Sequence, residues 1–235
     1  MPERSTHGFF ESFYLNGLNE STLIKTQDGI SKVNTRTPSN TLMTMIEYEN
    51  KTFPDGDVGF YNNDQFSKFL SLFNSDKLNL SFDKKNDQYI KAKLSGNDKL
   101  SVDYYLADPS IFPEEKVIKQ LDNWEIHFKL TGEETSNFLK ARNALSTATL
   151  LYIGKDVFIG NEEYGSNRIT VNISEYTNEI NDGEYLKFNL DDVKSVVGVL
   201  QEGITIKVSS LGLMQISWQR DNLTCKYYLT QIVSD

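Results

Sequence analysis

NNDQFSKFLSLF, residues 62–73, repeats apolar side chains at Phe66, Phe69, Leu70 and Phe73, the i, i+3, i+4, i+7 spacing of one helical face. Asn62, Asn63 and Asp64 stand just ahead with oxygens suited to capping the first turn, so the stretch predicts an amphipathic helix. Far downstream, FNLDDVKSVVGVL (188–200) has the same form. Val193, Val196, Val197 and Leu200 correspond to the four apolar residues of the first stretch, and each helix follows a strand and precedes three more. An architecture repeated within one chain is what this pairing predicts.

The rest of the sequence extends the repeat. Period-2 segments STLIKT, GISKVNT, TLMTMIEYE and DVGFY precede the first of these helices; KLNLSF, QYIKAKL and KLSVDYYL follow it. Gln27-Asp28-Gly29, Asn86-Asp87 and Gly96-Asn97-Asp98 supply turns between them. A helix around His7 to Asn16 buries Phe9, Phe10 and Phe13. In the second half WEIHFKL precedes a helix in GEETSNFLKARNAL, then come strands TATLLYIG, DVFIG, RITVNI and EYLKFN. GITIKVS, LMQISW and TCKYYLTQIV follow the last helix. Between the halves, Pro109 and Pro113 interrupt any element in ADPSIFPEEKVIKQLDN (107–123), which reads as a linker. The expected fold is α+β: two similar domains, 1–112 and 113–235, each with two helices packed on antiparallel sheets.

Charge is distributed unevenly along the helices. The chain has 33 acidic and 24 basic residues, a formal charge of -9. Acids at helix N-termini complement the dipole. After those first turns, however, Lys68 stands in an acid-free stretch, as do Lys140 and Arg142 in TSNFLKARNAL and Lys194 in VKSVVGVL. A helix face held near phosphates would exclude carboxylates in this way. The first helix departs from the pattern with Glu11, and Arg142 lies nearer the apolar arc. Net acidity argues against a protein that grips nucleic acid over its whole surface.

The segment Asp57–Pro113, with DVGFYNNDQFSKFLSLFNSDKLNLSF followed by YYLADPSIFP, resembles the DNA polymerase sliding clamp of large tailed phages, a trimeric processivity factor. The order EIHFKLTGEETSNFLKARNAL, LYIGKDVFIG, EYLKFNLDDVKSVVGVL, ITIKVSSLGLMQISW is similar to the same family. Ala107-Asp108-Pro109-Ser110 is its most specific motif; residues before Ser5 and from Thr35 to Asn50 match poorly. The resemblance implies a homotrimeric ring whose helices line a hole around duplex DNA, with sheets as the outer wall and a clamp loader to open it. Lys68, Lys140, Arg142 and Lys194 are then the candidate DNA-facing residues, contacting phosphates without base readout. The resemblance also implies a polymerase tail bound in a hydrophobic pocket, for which Tyr104, Leu106, Ile111, Phe112, Tyr227 and Leu229 are candidates, with Tyr105 and Tyr228 beside them. The alternative for these aromatics is core packing.

Other functions fit less well. Glu133 and Glu134 are adjacent and so face different directions on a helix, which suits a first turn better than acid/base chemistry. No GxxxxGK[ST] loop or nucleophile-elbow spacing occurs. Cys225 is the single cysteine and His7 and His127 the only histidines, which leaves a disulfide framework or a Cys/His metal site unsupported. No catalysis and no cofactor are expected. MPERSTHGFF lacks a signal peptide's basic and apolar regions, and no apolar run spans a bilayer, so the expected address is a cytosol, that of the host if the chain is phage-encoded. The rival reading is a β-rich phage structural or assembly protein whose helices are struts; a strut has no reason to exclude acids after its first turn.

Overall fold

The computed structural model describes residues 6–74, 77–96, 99–114, 121–163, 165–180 and 183–233. Two compact units are formed. The first takes Met1–Pro38, Thr44–Val117 and Gln219–Cys225; the second takes Ser39–Met43, Ile118–Trp218 and Lys226–Asp235.

In the first unit α1 (Thr6–Tyr14) runs into a 3-10 turn (Leu15–Gly17), then β1 (Thr22–Gln27), β2 (Ile30–Arg36), β3 (Leu42–Glu49) and β4 (Gly56–Phe60). These strands lie in the order β4-β1-β2-β3. Their register sets Ile24 opposite both Val33 and Val58, all fully buried, so the alternation of apolar and polar residues becomes one apolar face. That face meets the helices. Phe10 of α1 and Phe60 of β4 pack on Phe66 of α2 (Asn63–Leu70) at 5.0 and 4.5 Å, and Phe9 stacks on Tyr48 of β3 at 4.7 Å. Burying each such ring contributes on the order of 2 kcal/mol. A separate antiparallel sheet, β5 (Asn79–Lys85), β6 (Gln88–Ser95) and β7 (Ser101–Tyr105), completes the unit.

The second unit begins with β8 (Ile126–Leu130) and α3 (Gly132–Ala144). Next come β9 (Leu150–Ile153), β10 (Val157–Gly160), β11 (Ile169–Thr170), β12 (Tyr176–Asn178), β13 (Leu186–Asn189) and α4 (Leu190–Leu200). β14 (Ile204–Ser209), β15 (Leu213–Arg220) and β16 (Leu223–Thr230) end the series, with the last residues of β15 and the first of β16, within Gln219–Cys225, belonging to the first unit. Its four-stranded sheet has the order β13-β9-β10-β11. Counted among that sheet's own strands, since β12 pairs with β8 instead, this is again fourth, first, second, third, and in each unit that fourth strand leads directly into the second helix. Val193, Val196, Val197 and Leu200 on α4 are each at most 1% exposed, as their spacing predicts. Within each unit the two helices pack on each other, α1 on α2 and α3 on α4.

Several elements depart from expectation. The first helix ends at Tyr14, because Leu15 and Asn16 take left-handed backbone angles (φ 49° and 54°) that close an α-helix. α2 stops at Leu70, and Phe73 is buried from the turn that follows, its N–H on the Leu70 carbonyl at 3.0 Å. RITVNI contracts to the two-residue β11, and Tyr176–Asn178 pairs with β8 as an unforeseen strand. Of the expected linker, 115–120 lie outside the described residues, as do Asn97 and Asp98 of one expected turn; Pro109–Ile111 form a 3-10 turn capped by Asp108.

Candidate nucleic-acid interface

The second helix of each unit starts the same way. The Asn62 side chain accepts from the Gln65 N–H at 2.8 Å, and the Asn189 side chain from the N–H groups of Asp191 and Asp192 at 2.9 and 3.1 Å. Acidic residues fill both first turns. Each carboxylate-bearing start then receives a donor from the last turn of the unit's first helix. Tyr14 of α1 donates to Asp64 at 3.0 Å, and Arg142 of α3 to Asp191 at 2.7 Å.

Lys68 is well exposed, but its ammonium pairs with Asp64 one turn back at 2.6 Å. Lys68, with Tyr14, holds the Asp64 carboxyl below its ordinary range. Lys140 is exposed on α3, and Lys194 is half-buried on α4; among the described residues neither ammonium is hydrogen-bonded or ion-paired. Arg142, expected to face DNA, is engaged within its own unit. Its side chain is only 12% exposed, and its donors are taken by Asp191 and the carbonyls of Leu145 and Ser146, so it ties down the end of α3.

At the start of α3, Thr131 and Glu134 form a reciprocal capping box, with the Glu134 carboxylate also accepting from the Ser174 N–H and Oγ at 2.6 and 2.7 Å. Burial pushes the Glu134 pKa up, but the donors from Thr131 and Ser174 outweigh it and hold the value at about 2. Asp192, buried at the start of α4, accepts from the Thr41 hydroxyl at 2.7 Å; burial raises its pKa.

Three residues of the expected peptide pocket are buried. Tyr104 is 2% exposed, its hydroxyl bonded to the Asn62 backbone and its pKa pushed up to about 12 by burial. Tyr227 and Leu229 are at most 1% exposed and are core residues of the second unit. Inward positions of a strand are covered on every side and offer a peptide nothing. Leu106 and Phe112 are half-buried in the first unit, Phe112 packing over Gly59; Ile111 is 66% exposed.

An open cleft with an exposed apolar side chain lies in the second unit. A cleft of about 330 Å³ is lined by Leu121, Asp122, Asn123, Glu125, Ser210 and Leu211. Leu211, at the tip of the β14–β15 hairpin, is 79% exposed, the most of any large apolar side chain among the described residues. Glu125 accepts from the Ser210 N–H at 2.9 Å and fixes that tip. One signal was available in the sequence: a leucine inside the turn Ser210-Leu211-Gly212, where polar residues are usual.

No protein-family model matches the sequence, and no curated protein does. Solved structures match over nearly the whole chain. Proliferating Cellular Nuclear Antigen from Entamoeba histolytica is 18% identical with a TM-score of 0.73, covering 97% of this chain and 96% of that one. The PCNA2–PCNA3 complex of Sulfolobus tokodaii gives 0.74 at 12% identity and 97% of each chain. A. fulgidus PCNA, solved with the C-terminal region of FEN-1 bound, gives 0.73 at 14%, covering 97% and 95%.

The chain has the sliding-clamp fold.

Two units with the same strand order, each with a pair of helices on antiparallel sheets, are the two similar domains of that fold. Among the described residues no helix is long and apolar enough to cross a membrane.

Proposed function

We propose that three copies of this chain close into a ring around duplex DNA and hold a replicative DNA polymerase to its template, with a clamp loader opening the ring. The observation carrying this reading is the internal repeat on a sliding-clamp fold, since two similar units per chain give six around a trimer. The halves 1–112 and 113–235 are read as the two domains of each subunit, and the helices bearing Lys68, Lys140 and Lys194 as the wall of the hole. Such a ring is a scaffold rather than a catalyst; it needs few phosphate contacts because retention is topological, and tight contact would impede sliding. Among the described residues the end strands β7 and β11 each have one edge unpaired within their sheets, which suits pairing between copies. The likeness of 57–113 to clamps of large tailed phages supports a phage replication system in a host's cytosol.

The Leu211 cleft is read as the seat of a partner's tail. An exposed apolar anchor beside a fixed hairpin supports this, as does the FEN-1 segment bound to the A. fulgidus protein.

The test is retention. Loaded on nicked circular DNA, the protein is expected to elute with the circle and to be lost when the circle is cut, with a solution mass roughly three times 26.9 kDa. A monomer, or equal retention on cut and uncut DNA, overturns the reading and favours a structural or assembly protein.

A further inference from the structure

Exposure and pairing divide the helical charges unequally between the two units. In the first, α1 carries exposed Glu11 and no Lys or Arg, while α2 carries Lys68 against Asp64. That carboxylate is fixed from two sides, by the Lys68 ammonium at 2.6 Å and the Tyr14 hydroxyl at 3.0 Å. A phosphate approaching Lys68 meets Asp64 as well, and beyond about one Debye length, roughly 8 Å at physiological salt, the pair has almost no field. In the second unit Arg142 and Asp191 cancel in the same way. Glu134 and Asp192 are buried and bonded. What remains is Glu133 in the first turn of α3 and the ammonium groups of Lys140 and Lys194, unpaired among the described residues. Glu133 lies two turns from Lys140, about 10 Å along the axis, too far to neutralise it.

We infer that phosphate contact is carried by the second unit of each subunit, through Lys140 and Lys194, and that Asp64 holds Lys68 out of that contact. This rests on the clamp reading and deepens it. The first unit's helices present a neutral to slightly acidic wall, so attraction alternates with its absence around the hole. Asp64 is thus a specificity-determining residue of the surface, setting how many cations per subunit release counterions from the duplex.

The experiment measures the equilibrium constant for binding short linear duplex, where nothing is held topologically, against KCl concentration for wild type, Lys68→Gln, Lys140→Gln, Lys194→Gln and Asp64→Asn, with trimer mass and retention on nicked circular DNA checked for each. Lys140→Gln and Lys194→Gln are each expected to flatten the log–log salt slope by about one unit for each lysine in phosphate contact. Lys68→Gln is expected to flatten it by less than a third as much. Asp64→Asn frees Lys68 and is expected to steepen the slope; Asp64→Ser repeats the test should the amide disturb the Tyr14 contact. Lys68→Gln matching Lys140→Gln, or neither Asp64 variant steepening the slope, overturns the inference and leaves the clamp reading intact. Wild type failing to stay on the circle overturns both.

Discussion

Arg142 on the last turn of α3 reaches Asp191 on the first turn of α4 at 2.7 Å, the place in the second unit that Tyr14 and Asp64 occupy in the first. Both contacts close the end of one helix against the start of the next, where a carboxylate also favours the exposed N–H groups. The donors differ. Arg142 additionally holds two carbonyls past the end of its own helix.

Replacing Arg142 by Ala therefore removes a nearly buried guanidinium with three acceptors. A loss of about 1–2 kcal/mol in urea unfolding is expected, since hydrogen bonds to charged groups are stronger than average but Asp191 is open to solvent. The salt slope of binding to short linear duplex should stay that of wild type. A flattened slope would return Arg142 to the DNA-facing set.

Glu134 predicts a pH dependence. Its folded pKa of about 2 lies below the ordinary 4.5, so its contribution is present above about pH 4.5 and lost as pH falls through 2. The ceiling is roughly 3 kcal/mol, at 1.36 per pKa unit. The stability difference between wild type and Glu134→Gln, followed by denaturant titration from pH 7 to 2, should be constant above pH 5 and shrink below it. A difference independent of pH would show that the carboxylate charge is not what caps α3.

Leu211→Ser tests the cleft. Losing an apolar anchor worth about 1.5–3 kcal/mol should weaken capture of a polymerase tail roughly tenfold to a hundredfold while leaving the fold intact. The paired change Ile111→Ser and Phe112→Ala should have the smaller effect on capture. The reverse order would place the tail on the first unit.

Gly59→Ala probes how the 107–112 segment is held to β4. An added Cβ would stand 2.6 Å from Phe112 Cε2 and 2.8 Å from the Ala107 carbonyl oxygen. The ring has to leave or the strand has to shift, at a cost of about 1–3 kcal/mol. Thermal unfolding unchanged from wild type would show that Phe112 does not rest there.

The helices and most strands were legible because one-sided burial writes a period into the sequence, as in Val193, Val196, Val197 and Leu200. Phe73 shares that spacing without sharing the helix, since a turn can bury a ring as well as another helical turn can. Tyr176–Asn178 was hidden because three residues are too few to show alternation, and the strand exists only through pairing with β8. At the site, positions of cations were readable but their pairing was less so. The Lys68–Asp64 contact follows from i, i+4 spacing, whereas Arg142 and Asp191 are 49 residues apart in sequence and meet only in the fold. Tyr104, Tyr227 and Leu229 occupy inward positions on their strands, and alternation alone would have assigned them to the core.

Asn222 donates to the Glu49 carbonyl at 2.8 Å and accepts the Glu49 N–H at 2.9 Å, although 173 residues separate them. The first unit thus includes Gln219–Cys225, which a ribosome makes well over a hundred residues after Glu49. During synthesis at about 5–20 residues per second the amino-terminal half must wait many seconds with β3 lacking these partners. Nascent chains stalled before residue 219 should accordingly be sensitive to proteases and bound by chaperones, and protection should arrive late and abruptly once the β15–β16 hairpin emerges.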